Sequence, residues 1–220
     1  MAKVQERISD LLTIRLENSG EEAAKLNDKC GADYVKLSQA APLAMSLEPK
    51  TRYASFDGDA DRIVYYYSSG EGSFHLLDGD KIAILIAFFL NRLLVACELR
   101  SRLSFSLIQT AYANGSSTMY ARQQLNLEPE CVATGVKHLH SKAKEHDVAV
   151  YFEANGHGTV LFSDKAVQMM KQSALSGNAS AKQLLLLVDL INQVSIISDG
   201  SRSCRRSGSK RPVADALSLT

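Results

Sequence analysis

The segment Asp57-Gly58-Asp59-Ala60-Asp61-Arg62 sets three carboxylates at alternate positions with a guanidinium directly behind them. Two carboxylates about 5 Å apart repel by roughly 3 kcal/mol at an effective dielectric near 20, so three gathered by one bend call for a counter-ion. Oxygen donors without histidine or cysteine favour Mg²⁺ or Ca²⁺ over zinc. A calcium loop of the EF-hand kind starting at Asp57 fails twice, because Arg62 stands where it needs glycine and Ser68 where it needs glutamate. Arg62 offers the planar donor fork that suits phosphate oxygens, and a divalent ion with an arginine on one phosphate recurs in phosphoryl transfer. Gly58 can supply a positive φ where the bend requires one. The plain alternative is a solvated acidic turn.

A second constellation is Tyr151-Phe152-Glu153-Ala154-Asn155-Gly156-His157-Gly158-Thr159. Glu153 can accept hydrogen bonds from two adjacent sugar hydroxyls, and Asn155 can both donate and accept. Gly156 and Gly158 permit close approach of backbone to ligand, and His157 can move a proton near neutral pH. The alternative is a capped strand-to-helix turn. In Thr134-Gly135-Val136-Lys137-His138-Leu139-His140, a helix start bearing Lys137 and His138 suits an anion. Equally, Lys137 can be solvated while His138 or His140 packs. Gln109-Thr110-Ala111-Tyr112-Ala113-Asn114-Gly115-Ser116-Ser117 reads as a strand end followed by a helix cap.

The elements that must position these residues alternate. Residues 53–56 and 63–67 read as strands on either side of the acidic loop, with a turn at 69–72 and a further strand at 74–77. Asp78-Gly79-Asp80 offers an N-cap to a buried helix over 82–99. Then follow a strand at 104–108, a helix capped at Asn114 and running to 125, a strand at 131–133, a helix over 137–145 and a strand at 148–152. Helical sequence resumes near Lys165 and again over 180–193. This rhythm predicts an α/β fold, a mixed sheet with flanking helices, in which ligands gather at the carboxyl ends of strands. The chain has 220 residues, 45% of them hydrophobic, enough for a buried core. A net charge of +1 argues against a chain-wide nucleic-acid surface. The longest apolar run, residues 82–90, is too short to span a membrane, and the charged start lacks a secretory signal. Cys30, Cys97, Cys131 and Cys204 stand far apart, which predicts reduced thiols and a cytoplasmic protein.

The run Ser55-Phe56-Asp57-Gly58-Asp59-Ala60-Asp61-Arg62-Ile63-Val64-Tyr65-Tyr66-Tyr67 resembles the metal loop of the α-D-phosphohexomutases, in the branch that acts on N-acetylglucosamine phosphates. The resemblance implies that Asp57, Asp59 and Asp61 hold Mg²⁺ and that Arg62 lies near the transferred phosphate. It makes the second constellation a sugar-recognition loop, with Glu153 and Asn155 on the sugar and His157 close to the reacting hydroxyl. It likens the third to a Thr-Gly-x-Lys segment that brings Lys137 and His138 near the ligand. The implied reaction is an isomerisation by intramolecular phosphotransfer. A phosphoserine exchanges its phosphoryl group with the sugar and so interconverts N-acetylglucosamine 6-phosphate and 1-phosphate, on the way to UDP-N-acetylglucosamine.

The similarity runs over about residues 30–192 and implies part of a second domain at 1–77, a third domain at 78–194 and a basic Ser/Arg-rich tail at 195–220. A solvated, disordered end is expected of that tail, with a targeting or nucleic-acid patch as its alternative. The 220 residues contain neither a Thr-Ala-Ser-His-Asn-type nor an Arg-Pro-Ser-Gly-Thr-type motif. The expectation is therefore a fragment that binds Mg²⁺ weakly and turns over little or nothing. A phosphatase with Asp57 and Asp59 as its acidic pair is disfavoured by Ala60-Asp61-Arg62, where such enzymes want Thr or Val. The remaining alternative is a non-catalytic module that binds metal or sugar phosphate and is completed by a partner chain. Apolar surface exposed on a severed domain favours such pairing, or self-association.

Overall fold

The computed structural model describes residues 13–198 apart from 19–21, 23–24, 44 and 71, with side chains to residue 192. Helix α1 (Gly31–Ser38) is followed by strands β1 (Arg52–Phe56), β2 (Ile63–Tyr67) and β3 (His75–Leu77), which form an antiparallel sheet in the order β1-β2-β3. Alternate residues of β2 face one way, so Val64 and Tyr66 are buried with Leu76 against Ala32 and Val35 of α1. Tyr53 stacks on Tyr66 with ring centroids 5.6 Å apart. The pairing of Phe56 with Ile63 closes the acidic loop at the end of this hairpin.

The larger part begins with α2 (Gly79–Ala96), whose cap Asp78 accepts from the Lys81 amide at 3.3 Å. It continues with β4 (Phe105–Thr110), α3 (Gly115–Leu125), β5 (Glu130–Val132), α4 (Val136–Ala143), β6 (Val148–Phe152), β7 (Gly158–Phe162), α5 (Asp164–Leu175) and α6 (Ala179–Ser198). The sheet order is β5-β4-β6-β7, with β4 parallel to both β5 and β6 and β7 antiparallel to β6. This is the mixed sheet with flanking helices that the alternation predicts. Every residue of β4 and β6 is buried, which is why both read as unbroken runs rather than alternating ones. One face sends Leu107 and Val150 into a core with Leu90, Leu94, Met170 and Leu184; the other packs Ile108, Ala149 and Tyr151 on Leu139 and Ala143 of α4.

The structure departs from the sequence reading in five places. Strand β7 was expected as loop leading to helix, yet Thr159-Val160-Leu161-Phe162 pairs along β6, so residues 153–157 are the tip of a hairpin and not a strand-to-helix turn. Helix α1 was not expected at all. Helix α2 spans Gly79–Ala96 rather than 82–99: its cap acts at once, and Glu98 leaves the helix at φ 57°. The positive φ of the acidic loop falls on Ala60 (φ 60°) and not on Gly58. Helix α6 continues to Ser198, and residues 199–220, most of the expected tail, lie outside the described residues. Cys30, Cys97 and Cys131 are free thiols, while Cys204 lies outside the described residues. Among the described residues no helix is long and apolar enough to cross a membrane.

Candidate active site

The acidic loop turns as Ala60 donates its amide to the Asp57 carbonyl at 3.0 Å. One carboxylate oxygen from each of Asp57, Asp59 and Asp61 then falls within 4.8 Å of the others. Asp57 is half-buried and its Oδ1 accepts from the Arg62 amide at 3.1 Å, whereas Asp59 and Asp61 are exposed. Gly58 lies beside the exposed side chain of Asn27, whose Nδ2 would stand 2.7 Å from a Cβ there but is free to swing aside. The donor set is three hard oxygens, open on one side and close enough to share a small ion, so the residues present fit Mg²⁺.

Arg62 is shared among acids. Its Nη1 donates to both oxygens of Asp33 at 3.1 and 2.9 Å, while Nε lies 3.5 Å from Asp57 Oδ2 and 3.6 Å from Asp61 Oδ1. Burial works to lower the guanidinium pKa, but Asp33, Asp57 and Asp61 outweigh it and hold the group above its ordinary value. Asp33 comes from α1, and nothing in the sequence pointed to it.

The hairpin tip docks against this loop. Ile63 donates its amide to the Gly156 carbonyl at 3.2 Å, and Arg62 and His157 face each other as an antiparallel bridge. His157 Nδ1 stands 3.4 Å from Asp61 Oδ2. Gly156 has φ 95°, and a side chain there would begin 2.0 Å from the Ile63 carbonyl oxygen, so both its backbone shape and its contact require glycine. Within the tip, Glu153 donates its amide to the His157 carbonyl at 2.8 Å, and Asn155 Oδ1 accepts from the His157 amide at 3.0 Å. The Asn155 side-chain nitrogen has no hydrogen-bond partner among the described residues. A third contact fastens the tip to α2, where the Gly79 amide donates to the Ala154 carbonyl at 3.3 Å.

Glu153 Oε1 accepts from the Gly135 amide at 3.1 Å, which draws the third segment to the same rim. Lys137 and His138 sit in the first turn of α4, both exposed, and neither side chain makes a hydrogen bond or ion pair with the described residues. His140 instead packs, its Nδ1 2.8 Å from the hydroxyl of Tyr151, whose pKa burial pushes up to about 12. The structure thus gathers Asp57, Asp59, Asp61, Arg62, Asn155 and His157 directly, joins Glu153 to them through the hairpin, and brings Lys137 and His138 only to the neighbouring loop.

Comparison with known proteins bears on the family and the fold. The family model for phosphoacetylglucosamine mutase AMG1, domain III, matches residues 78–199. The Homo sapiens phosphoacetylglucosamine mutase is 49% identical over 197 residues, covering 88% of this chain and 36% of that protein. The Saccharomyces cerevisiae phosphoacetylglucosamine mutase is 48% identical over 175 residues, covering 76% and 31%. An apo crystal structure of an N-acetylglucosamine-phosphate mutase superposes with TM-score 0.71 at 43% identity, covering 78% of this chain and 38% of that one. The Aspergillus fumigatus N-acetylphosphoglucosamine mutase in complex with GlcNAc-6P and magnesium gives 0.64 at 43% identity, covering 76% and 35%. The fold is that of the α-D-phosphohexomutase superfamily. Within it, the chain belongs to the phosphoacetylglucosamine mutase family. It spans about a third of the length of the curated relatives it matches.

Proposed function

We propose that this chain is the metal-binding and sugar-recognition part of a phosphoacetylglucosamine mutase, which interconverts N-acetylglucosamine 6-phosphate and N-acetylglucosamine 1-phosphate. Residues 1–77 then end a second domain and 78–194 form a third, in a cytoplasmic setting. The observation that carries the reading is the docking of the hairpin tip on the acidic loop, which sets His157 Nδ1 3.4 Å from Asp61 Oδ2. An oxygen cluster suited to a divalent ion and a set of sugar-type donors and acceptors thereby share one rim.

Asp57, Asp59 and Asp61 hold Mg²⁺ in this reading, which when bound supplies positive charge to a transferring phosphoryl group. Arg62 adds a second positive charge on the same side. Glu153 keeps one carboxylate oxygen for the Gly135 amide and has the other to accept from a sugar hydroxyl. Asn155 donates through its amide nitrogen, and His157 holds or moves the proton of the reacting hydroxyl. Lys137 and His138 offer charge to a phosphate without having to break an internal pair.

The 220 residues hold no phosphoserine motif and no phosphate-anchoring motif of the family type. We infer that these 220 residues by themselves bind Mg²⁺ and sugar phosphate with little or no turnover. Calorimetry with Mg²⁺, followed by a coupled mutase assay with glucose 1,6-bisphosphate as activator, tests this. Metal-dependent sugar-phosphate binding that Asp59→Asn abolishes is the expected result. A folded sample that gives no heat with Mg²⁺ or Mn²⁺ and no protection against melting overturns the metal site. Turnover near that of a full-length mutase overturns the inference of inactivity. Hydrolysis of a generic phosphate ester indicates the phosphatase instead.

A further inference from the structure

The described residues bury six polar side chains, and four of them, Asp80, Gln109, Thr110 and Ser117, surround one short loop, residues 111–114. Buried polar groups are costly unless paired, and here the pairing fixes a shape. Asp80 Oδ2 accepts from the Asn114 amide at 2.8 Å, and the Ala113 amide donates to the Thr110 carbonyl at 3.0 Å. Gln109 Nε2 donates to Ser117 Oγ at 2.9 Å, Thr118 Oγ1 donates to Gln109 Oε1 at 2.9 Å, and Ser117 Oγ donates to the Asn114 carbonyl at 2.6 Å. What this held loop displays is Tyr112, 80% exposed between Ala111 and Ala113.

The loop stands at the carboxyl end of β4, on the rim shared with the ends of β5 and β6. Two consecutive residues of α2 grip both sides of that rim. Gly79 holds the hairpin tip through Ala154, and a side chain on it would begin 1.8 Å from the Glu153 carbonyl oxygen. Asp80 holds the Tyr112 loop through Asn114. The placement of Tyr112 relative to Glu153 and Asn155 is therefore fixed by one helix turn. A tyrosine ring offers a large apolar face with a polar tip, which matches a pyranose carrying C–H bonds on its face and hydroxyls at its edge.

We propose that Tyr112 contacts the sugar at this site, its ring against the apolar C–H face of the bound N-acetylglucosamine phosphate, and that Asp80 is the positioning residue that holds it there. The proposal rests on the proposed function. The test titrates N-acetylglucosamine 6-phosphate with Mg²⁺, and separately inorganic phosphate, into the 220-residue chain carrying ¹³C-labelled tyrosine rings. The Tyr112 ring resonance, identified by its loss in Tyr112→Ala, shifts with the sugar phosphate. Tyr112→Ala weakens sugar-phosphate binding about tenfold, leaving inorganic phosphate binding and the melting temperature unchanged. Asp80→Ala weakens it similarly, while Asp80→Asn, whose amide oxygen still accepts from Asn114, returns to within about threefold of wild type. Wild type and Tyr112→Ala binding the sugar phosphate equally well overturns this assignment alone. A wild type that binds neither Mg²⁺ nor sugar phosphate overturns the proposed function, and this assignment with it.

Discussion

Gly156→Ala removes the join between the two halves of the site. The new Cβ would lie 2.0 Å from the Ile63 carbonyl oxygen and 2.9 Å from the Ile63 nitrogen, both backbone atoms that cannot rotate aside. To restore a normal contact the tip must retreat by about 1 Å, which stretches the 3.2 Å bond from the Ile63 amide past hydrogen-bonding range. Losing that bond and the neighbouring bridge costs about 1 kcal/mol each, and φ near 95° adds about 1–2 kcal/mol once a Cβ is present. The total is about 3–4 kcal/mol, which for a fold of this size lowers the melting temperature by about 10 °C. Retreat also parts His157 from Asp61, so sugar-phosphate affinity falls even well below the transition. The control is Gly115→Ala, which has open space around it and no positive φ and should melt within a degree or two of wild type. Thermal melts followed by circular dichroism, with calorimetric titration at 15 °C, give both readouts. Gly156→Ala melting together with wild type would refute the backbone-on-backbone docking on which the site is built.

Asp59 is exposed and forms no ion pair with Arg62, so Asp59→Asn abolishes the Mg²⁺-induced rise in melting temperature while moving the metal-free melt little; Asp57→Asn, which weakens the hold on the Arg62 amide, lowers both. Asp33→Asn releases the guanidinium to fall on Asp57 and Asp61, and Mg²⁺ affinity drops about threefold by calorimetry; an unchanged affinity would show that Asp33 has no part in the site. Asp147 accepts from Ser104, Ser163 and Lys165; although its burial works to raise its pKa, these donors bring it down to about 2. A depressed carboxyl adds stability that is present above its unfolded pKa and is lost as pH falls toward the folded one, so urea melts should show wild type losing about 1–2 kcal/mol more than Asp147→Asn between pH 4 and 2.

What the sequence made legible was local. Repulsion among Asp57, Asp59 and Asp61 needs no knowledge of the fold, and the Asp78 cap and the apolar run behind it announce α2 without help from neighbours. What it hid depended on partners far along the chain. The pairing of Asp33 with Arg62 crosses 29 residues and leaves no pattern in either segment. Strand β7 was masked by its own first residue: Gly158 looks like loop, but it is glycine because a side chain would begin 2.2 Å from the Tyr151 carbonyl oxygen of the paired strand. The acidic loop misleads in a similar way: glycine at position 58 suggests conformational freedom, whereas the left-handed residue is Ala60, which bears a cost of about 1 kcal/mol.

Charge balance explains why that cost is tolerated. Asp33, Asp57 and Asp61 share the one guanidinium of Arg62, His157 stands beside Asp61, and the guanidinium gives its two good hydrogen bonds to Asp33. Its Nε approaches Asp57 and Asp61 only to 3.5 and 3.6 Å, too far to bond well to either. The trio is therefore left without an adequate internal counter-charge, although each pair of its oxygens, at 4.8 Å or less, repels by about 3 kcal/mol at an effective dielectric of 20. A loop optimised for stability alone would let Arg62 collapse onto the trio or would carry fewer acids. Asp33 holds the arginine back, Ala60 bears strain in the turn that gathers the trio, and Gly156 lets His157 approach Asp61. In the proposed function these features together prepare a site for a small cation of two charges.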